Sequence, residues 1–260
     1  MSRKLIGILL LGFASGLPYM LVFSTLTAWL RDVGITLTEI GFFAWLVLTY
    51  SLKFLWAPFV DRYSIPGFKV FGKRRGWILF SQSLIFLSLF GMSLIDPLNN
   101  IQLLALLAFF VAFFGSIQDV AVDALRIEIG EAKEQGNLAA SYQLGYRVAI
   151  LIATSAALIF ADIYSWSYVY QSMSLFILVG SAGALICHEP NNHEIAILRF
   201  DKALIEAFKE FFHRFGLWSA AILLLIISTY RLTDIVMGPM AMPFYLDLGF
   251  SKTEIGALVK

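Results

Sequence analysis

The sequence predicts an all-α, polytopic membrane protein, and three observations point there. Hydrophobic residues make up 59% of the chain, and mean hydropathy is +0.79. Only 14% of residues are charged, against about 25% in an ordinary soluble domain, so the chain lacks the polar residues to cover itself in water. The apolar residues also gather into runs of about 20, the length of helix that crosses a bilayer at 1.5 Å per residue.

Taken in order, the predicted spans are Leu5–Leu30, Glu39–Phe59, Trp77–Ile95, Ile101–Leu125, Ala139–Ala161, Tyr168–Cys187 and Leu217–Phe244, and an eighth opens near Thr253. Ser2-Arg3-Lys4 before Leu5–Leu11 could open a secretory signal. The apolar run continues to about Trp29 without a small-residue cleavage site, so it reads as a retained first span.

Loop charges set the orientation. With the N-terminus in the cytoplasm, twelve Lys/Arg fall in the N-terminus, Val60–Gly76, Arg126–Leu138 and His188–Gly216, whereas the opposite loops hold only Arg31 and Lys252. The segment from Glu189 interleaves charges with Ile195, Leu198, Leu204, Phe208 and Phe212, the spacing of an amphipathic surface helix, expected near Ala196–Arg214. The predicted organisation is therefore a six-helix bundle over residues 1–188, a cytoplasmic linker over 189–216, and the start of a second bundle over 217–260.

A repeat supports this division. Asp32-Val33-Gly34-Ile35-Thr36-Leu37-Thr38-Glu39-Ile40-Gly41 matches Asp247-Leu248-Gly249-Phe250-Ser251-Lys252-Thr253-Glu254-Ile255-Gly256 at a constant offset of 215, each copy lying between the first and second spans of a six-helix unit. Parallel six-span repeats joined by a cytoplasmic linker are the pattern of major facilitator transporters. On that pattern the second unit stops just inside its second helix, with four to five helices lacking.

Composition excludes several classes. A net charge of +1 gives no reason to expect nucleic acid, and the single Cys187 excludes an internal disulfide and argues against a cysteine-rich metal site. The three histidines lie in one polar segment, outside every span, and no HExxH occurs. A membrane-embedded transferase or hydrolase would want a nucleophile–base pair or metal ligands at the membrane face. No cofactor or metal is expected.

The ionisable groups at membrane depth carry the functional reading. Each costs at least about 2.5–3.5 kcal/mol to insert, so it should face a cavity or a partner. If the fourth helix runs on through Gly115–Glu128, Asp119 and Asp123 stand at i, i+4 and Arg126 follows, one face carrying all three. Counting roughly 10 Å from the cytoplasmic helix ends brings Lys53, Asp119 and Arg147 to one level. These four (Asp119, Lys53, Arg147 and Asp123) are either a proton- or substrate-responsive cluster lining a cavity or a structural ion-pair net. Asp61-Arg62, with Arg126 as the expected partner of Asp61, reads as a gate, and Lys73-Arg74-Arg75 reads as plain positive-inside topology. Arg231 and Asp234, deep in span seven, map at the repeat offset onto Gly16 and Tyr19, where Gly16-Leu17-Pro18 should disturb the first helix. Helix breaks at matching depths in two halves point to a binding site. Arg231 could bind a substrate carboxylate, or simply neutralise Asp234. Tyr19, Tyr50, Tyr142 and Tyr146 are candidates for stacking on sugar.

Several motifs resemble those of the AmpG-type muropeptide permeases of the major facilitator superfamily. They are Leu11-Gly12-Phe13-Ala14-Ser15-Gly16-Leu17-Pro18, Lys53-Phe54-Leu55-Trp56-Ala57-Pro58, Asp61-Arg62-Tyr63, Arg74-Arg75-Gly76-Trp77, Gln118-Asp119 with Asp123-Ala124, and Leu144-Gly145-Tyr146-Arg147. Acetyl-CoA transporters share the Gln-Asp…Asp pattern more distantly. The resemblance implies proton-driven import of anhydro-muropeptides across the bacterial inner membrane, with substrate and protons as partners beside membrane lipid, and implies nothing about oligomers. On this reading Gln118, Tyr19 and Tyr146 join Arg231 and Asp234 as substrate-binding residues. The alternatives are a non-transporting fragment or a related facilitator for another substrate such as an acyl-CoA.

Overall fold

The computed structural model describes residues 2–189 and 209–258, with the backbone alone for residues 231–236. Every regular element among the described residues is helical. In chain order these are α1 (Arg3–Asp32), α2 (Leu37–Leu55), α3 (Lys73–Ser93), α4 (Ile101–Ile129), α5 (Ala132–Ile163), α6 (Trp166–Ile186), α7 (Leu217–Asp247) and α8 (Lys252–Leu258). The first six are each long and apolar enough to cross a membrane. They also present large apolar side chains outward, with Phe42 and Trp45 of α2 69% and 68% exposed. Water would penalise such a surface, whereas lipid tails accept it.

The molecule divides into two compact units, Met1–Pro190 with Pro239–Lys260, and Asn191–Gly238. In the second unit Lys209–Phe215 meets Leu217–Tyr230 at an angle of 109°, and Gly216 turns the corner with φ +72°. Most of the predicted linker helix, over residues 190–208, lies outside the described residues.

In the first unit α1 is the central post, packed against α5, α6 and α4. Its contact with α5 is backbone against backbone. A Cβ at Gly145 would run into the Leu9 carbonyl oxygen, and one at Gly12 would run into that of Tyr142. Small residues permit this approach in lipid, where packing and not the hydrophobic effect joins helices. Two apolar clusters fill the bundle, one around Leu17, Leu21, Leu26, Leu89, Ala108 and Tyr170 and the other around Ile8, Leu11, Ile78, Ile117 and Leu125. Cys187 is buried in the second, as a small apolar residue at the end of α6.

Two spans depart from regular α-helix, as the Gly16-Leu17-Pro18 signal predicts for α1. Pro18 lies inside Arg3–Met20, and Leu21–Thr25 is wound as a π-helix. Proline has no N–H to donate, which loosens the α ladder locally. In α5 the stretch Ile152–Ala156 is also π-wound, and the Thr25 hydroxyl donates to the Ala153 carbonyl across the pair. α2 is interrupted more often, with 3-10 turns at Ala44–Leu46 and Lys53–Leu55 before a separate short helix, Ala57–Arg62.

The sequence repeat is also a repeat of backbone geometry. Ile35 N–H donates to Leu30 O and Gly34 N–H to Arg31 O; Phe250 and Gly249 make the same bonds to Tyr245 and Leu246. These are Schellman caps, and they need the left-handed φ of +92° at Gly34 and +88° at Gly249. A capping box follows in each copy, Thr36 with Glu39 and Ser251 with Glu254. One turn module thus ends α1 and starts α2, and again ends α7 and starts α8.

Candidate functional site

α4 does run unbroken through the Asp119 motif, so Asp119, Asp123 and Arg126 share one face as the spacing requires. Around Asp119 the interior is polar. Gln118 is fully buried with neither amide atom hydrogen-bonded, and Asp119 Oδ1, Ser15 Oγ and Tyr50 Oη are buried without a hydrogen-bond partner. Ser15 lies close to Asp119 without meeting hydrogen-bond geometry. Tyr50, Tyr142 and Tyr146 all stand within electrostatic reach of the carboxylate. Tyr19 meets Tyr50 edge to face at 5.2 Å, and Tyr142 faces Tyr146 at 6.1 Å. Gly115, one turn before Asp119, leaves the space that the Tyr50 hydroxyl fills. The four tyrosines of α1, α2 and α5 therefore ring a carboxylate and an amide of α4, a lining able to stack on and hydrogen-bond a polar ligand.

The cations are placed differently from the depth count. Lys53 Nζ is 3.9 Å from Asp123 Oδ2, so its ion pair is with Asp123, although Asp119 is also within its field. The count assumed one helix from Lys53 to Phe59, and α2 is broken at Trp56. Arg147 is exposed and makes no ion pair among the described residues. Arg231 and Asp234 belong to α7, but their side chains lie outside the described residues.

The expected Asp61–Arg126 pair does not form. Arg126 turns back to Asp123 at 3.5 Å and lies 5.8 Å from the Tyr142 ring centroid. Asp61 instead accepts from Arg74, at 2.6 Å. Arg74, 6% exposed, also grips Glu128 of α4 through Nε and Nη2 at 3.0 and 2.6 Å. Its own backbone N–H and that of Arg75 donate to Glu189. Reading Lys73-Arg74-Arg75 as topology alone is corrected here: the first turn of α3 lies beside the last turn of α4, closer to Asp61 than Arg126 can reach. Arg62 is exposed, with its guanidinium 5.7 Å from the Tyr63 ring centroid. Among the described residues no cluster has the makings of a metal site.

Apolar helices enclosing a polar, ionisable interior define a membrane carrier rather than an enzyme. The chain belongs to the Major Facilitator Superfamily, whose profile matches residues 8–259. It is 34% identical over 255 residues to the anhydromuropeptide permease of Escherichia coli K12, covering 97% of this chain and 51% of that protein. It is also 34% identical over 266 residues to the putative transporter AmpG 4 of Rickettsia felis, covering 99% of this chain and 63% of the relative. A Haemophilus influenzae protein is 36% identical over 264 residues, with coverage of 100% and 61%. The chain spans about half to two-thirds of the length of these relatives.

Proposed function

We propose that the protein, at full length, is a proton-coupled secondary transporter that imports anhydro-muropeptides across the bacterial inner membrane, with its N-terminus in the cytoplasm. The observation that carries the substrate is the similarity to the Escherichia coli permease through nearly the whole of this chain. The tyrosine-ringed interior supports it, because stacking rings and unpaired amide and carboxylate groups suit a sugar–peptide. In this reading Asp119 carries the proton, Gln118, Tyr19 and Tyr146 contact the substrate, and Asp123 is held between Lys53 and Arg126. Arg147 serves the cavity field, Arg231 and Asp234 contribute from α7, and Asp61 and Arg62 belong to the gate.

Membrane vesicles bearing the full-length protein are expected to accumulate a labelled anhydro-muropeptide under an imposed proton gradient. Accumulation of labelled acyl-CoA in its place, or no gradient dependence, would refute the assignment.

The orientation follows from the twelve-to-two loop charge asymmetry. Ser64→Cys, in the segment between α2 and α3, is expected to resist a membrane-impermeant thiol reagent in intact cells and to react after permeabilisation. Reaction in intact cells would reverse the topology.

A further inference from the structure

The loops at the end opposite Arg74 hold two cations, Arg31 and Lys252, and each is bound by an aspartate of the other repeat copy. Arg31 Nε lies 2.6 Å from Asp247 Oδ1, and Lys252 Nζ lies 2.9 Å from Asp32 Oδ2. Asp32 and Asp247 are the same position of the repeat, 215 residues apart. The exchange is thus reciprocal. Lys252 is shared further, at 3.7 Å from Asp162 of α5, and Asp162 Oδ2 accepts from the Thr253 backbone N–H in the first turn of α8. The Trp166 indole N–H donates to the same Asp32 oxygen at 2.7 Å, and Lys252 Nζ stands 5.8 Å from its ring centroid.

We propose that this reciprocal charge exchange is a latch: it holds the α1–α2 and α7–α8 turns together and must break for this end of the molecule to open. The inference rests on the transporter reading only in needing such an opening. Two features distinguish a latch from permanent packing. The first is exposure. Arg31 and Asp247 are 29% and 36% exposed and surround an open cavity of about 520 Å³, so water can replace each partner as the ions separate. An isolated pair so exposed would hold little, but here aspartates from both copies, a third acid, an indole and a backbone N–H fix one geometry. The second is connectivity. The Arg74 assembly at the other end joins Asp61, Glu128 and Glu189, all within residues 1–190, and so braces the first bundle against itself. The Arg31–Lys252 network crosses from one copy of the repeat to the other.

The test places spin labels at Leu37→Cys and Leu248→Cys in the full-length protein with Cys187→Ala. Both positions are exposed, at 44% and 59%. The label–label distance distribution is then compared for the parent, Arg31→Asp, Asp247→Arg and the swapped double variant. The parent should show mainly one short distance. Each single reversal should raise a longer-distance population by at least about threefold, and the swap Arg31→Asp/Asp247→Arg should restore the short one. If a single reversal fails to reach the membrane, Asp247→Asn takes its place and should shift the distribution the same way. Unchanged distances in the single variants, or a swap that stays open, would overturn the latch. No substrate is used, so failure here is distinct from failure of the muropeptide assignment.

Discussion

Replacing Asp119 by Asn in the full-length protein is expected to abolish proton-driven accumulation of a labelled anhydro-muropeptide, by at least about tenfold, while leaving energy-independent exchange partly intact. The amide keeps the shape of the protonated acid but cannot release a proton, so the loaded carrier can still exchange and the gradient can no longer drive it. The structure makes this substitution sharper than most. Asp119 Oδ1 is buried without a hydrogen-bond partner, and the neighbouring cation Lys53 forms its ion pair with Asp123 instead. Asp123→Asn should behave differently. That carboxylate is shared by Lys53 and Arg126 and is 42% exposed, so its loss should loosen the arrangement and slow accumulation and exchange together. Equal loss of both modes in Asp119→Asn, at normal membrane levels, would make Asp119 a structural ion. Normal accumulation would remove it from the mechanism.

Arg74→Gln is expected to cost the bundle about 3–5 kcal/mol, because breaking a buried ion pair strands charges without solvent. Arg74 holds two carboxylates from two directions, and its side chain is 7% exposed. Arg74→Lys should restore little, since a point charge cannot reproduce the fork that spans Asp61 and Glu128. Lys73→Gln, one residue earlier and with no contact among the described residues, should stay within about 0.5 kcal/mol. Denaturant unfolding in detergent micelles checks all three. An Arg74→Gln variant as stable as Lys73→Gln would mean that the carboxylates find water at no cost.

What the sequence made legible was what depends on local pattern. Apolar run length located the spans, and the 215-residue repeat located a turn module whose caps are fixed by Gly34, Thr36 and Glu39 and by their counterparts. The continuity of α4 through Asp119 followed from the absence of any turn signal near Gly115. Partner choice was not legible. Asp61 had two arginines within plausible reach, and only the lateral placement of α3 beside α4 selects Arg74 over Arg126. Depth counting failed at Lys53 because 3-10 turns and the break at Trp56 make residue number a poor ruler in α2. The Arg31–Lys252 network was hidden for another reason. Its pairs are more than 200 residues apart in sequence, and each cation looks, in its own loop, like an ordinary surface charge.

The π-wound turn at Leu21–Thr25 has a consequence for how α1 tolerates insertion and deletion. A π turn accommodates one more residue than an α turn, and one residue of α-helix is a rotation of about 100°. The segment is therefore a phase slip between two rods. The first rod aims Gly12 and Gly16 at α5, and the second aims Trp29 at Trp166 and Asp32 at Lys252. Dropping any single residue from Leu21–Thr25 would leave hydropathy and length almost untouched, yet it would swing the second rod by about 100° and carry Asp32 off Lys252. What those five residues encode is a count, and the two ends of the helix keep their bearings only while that count is kept.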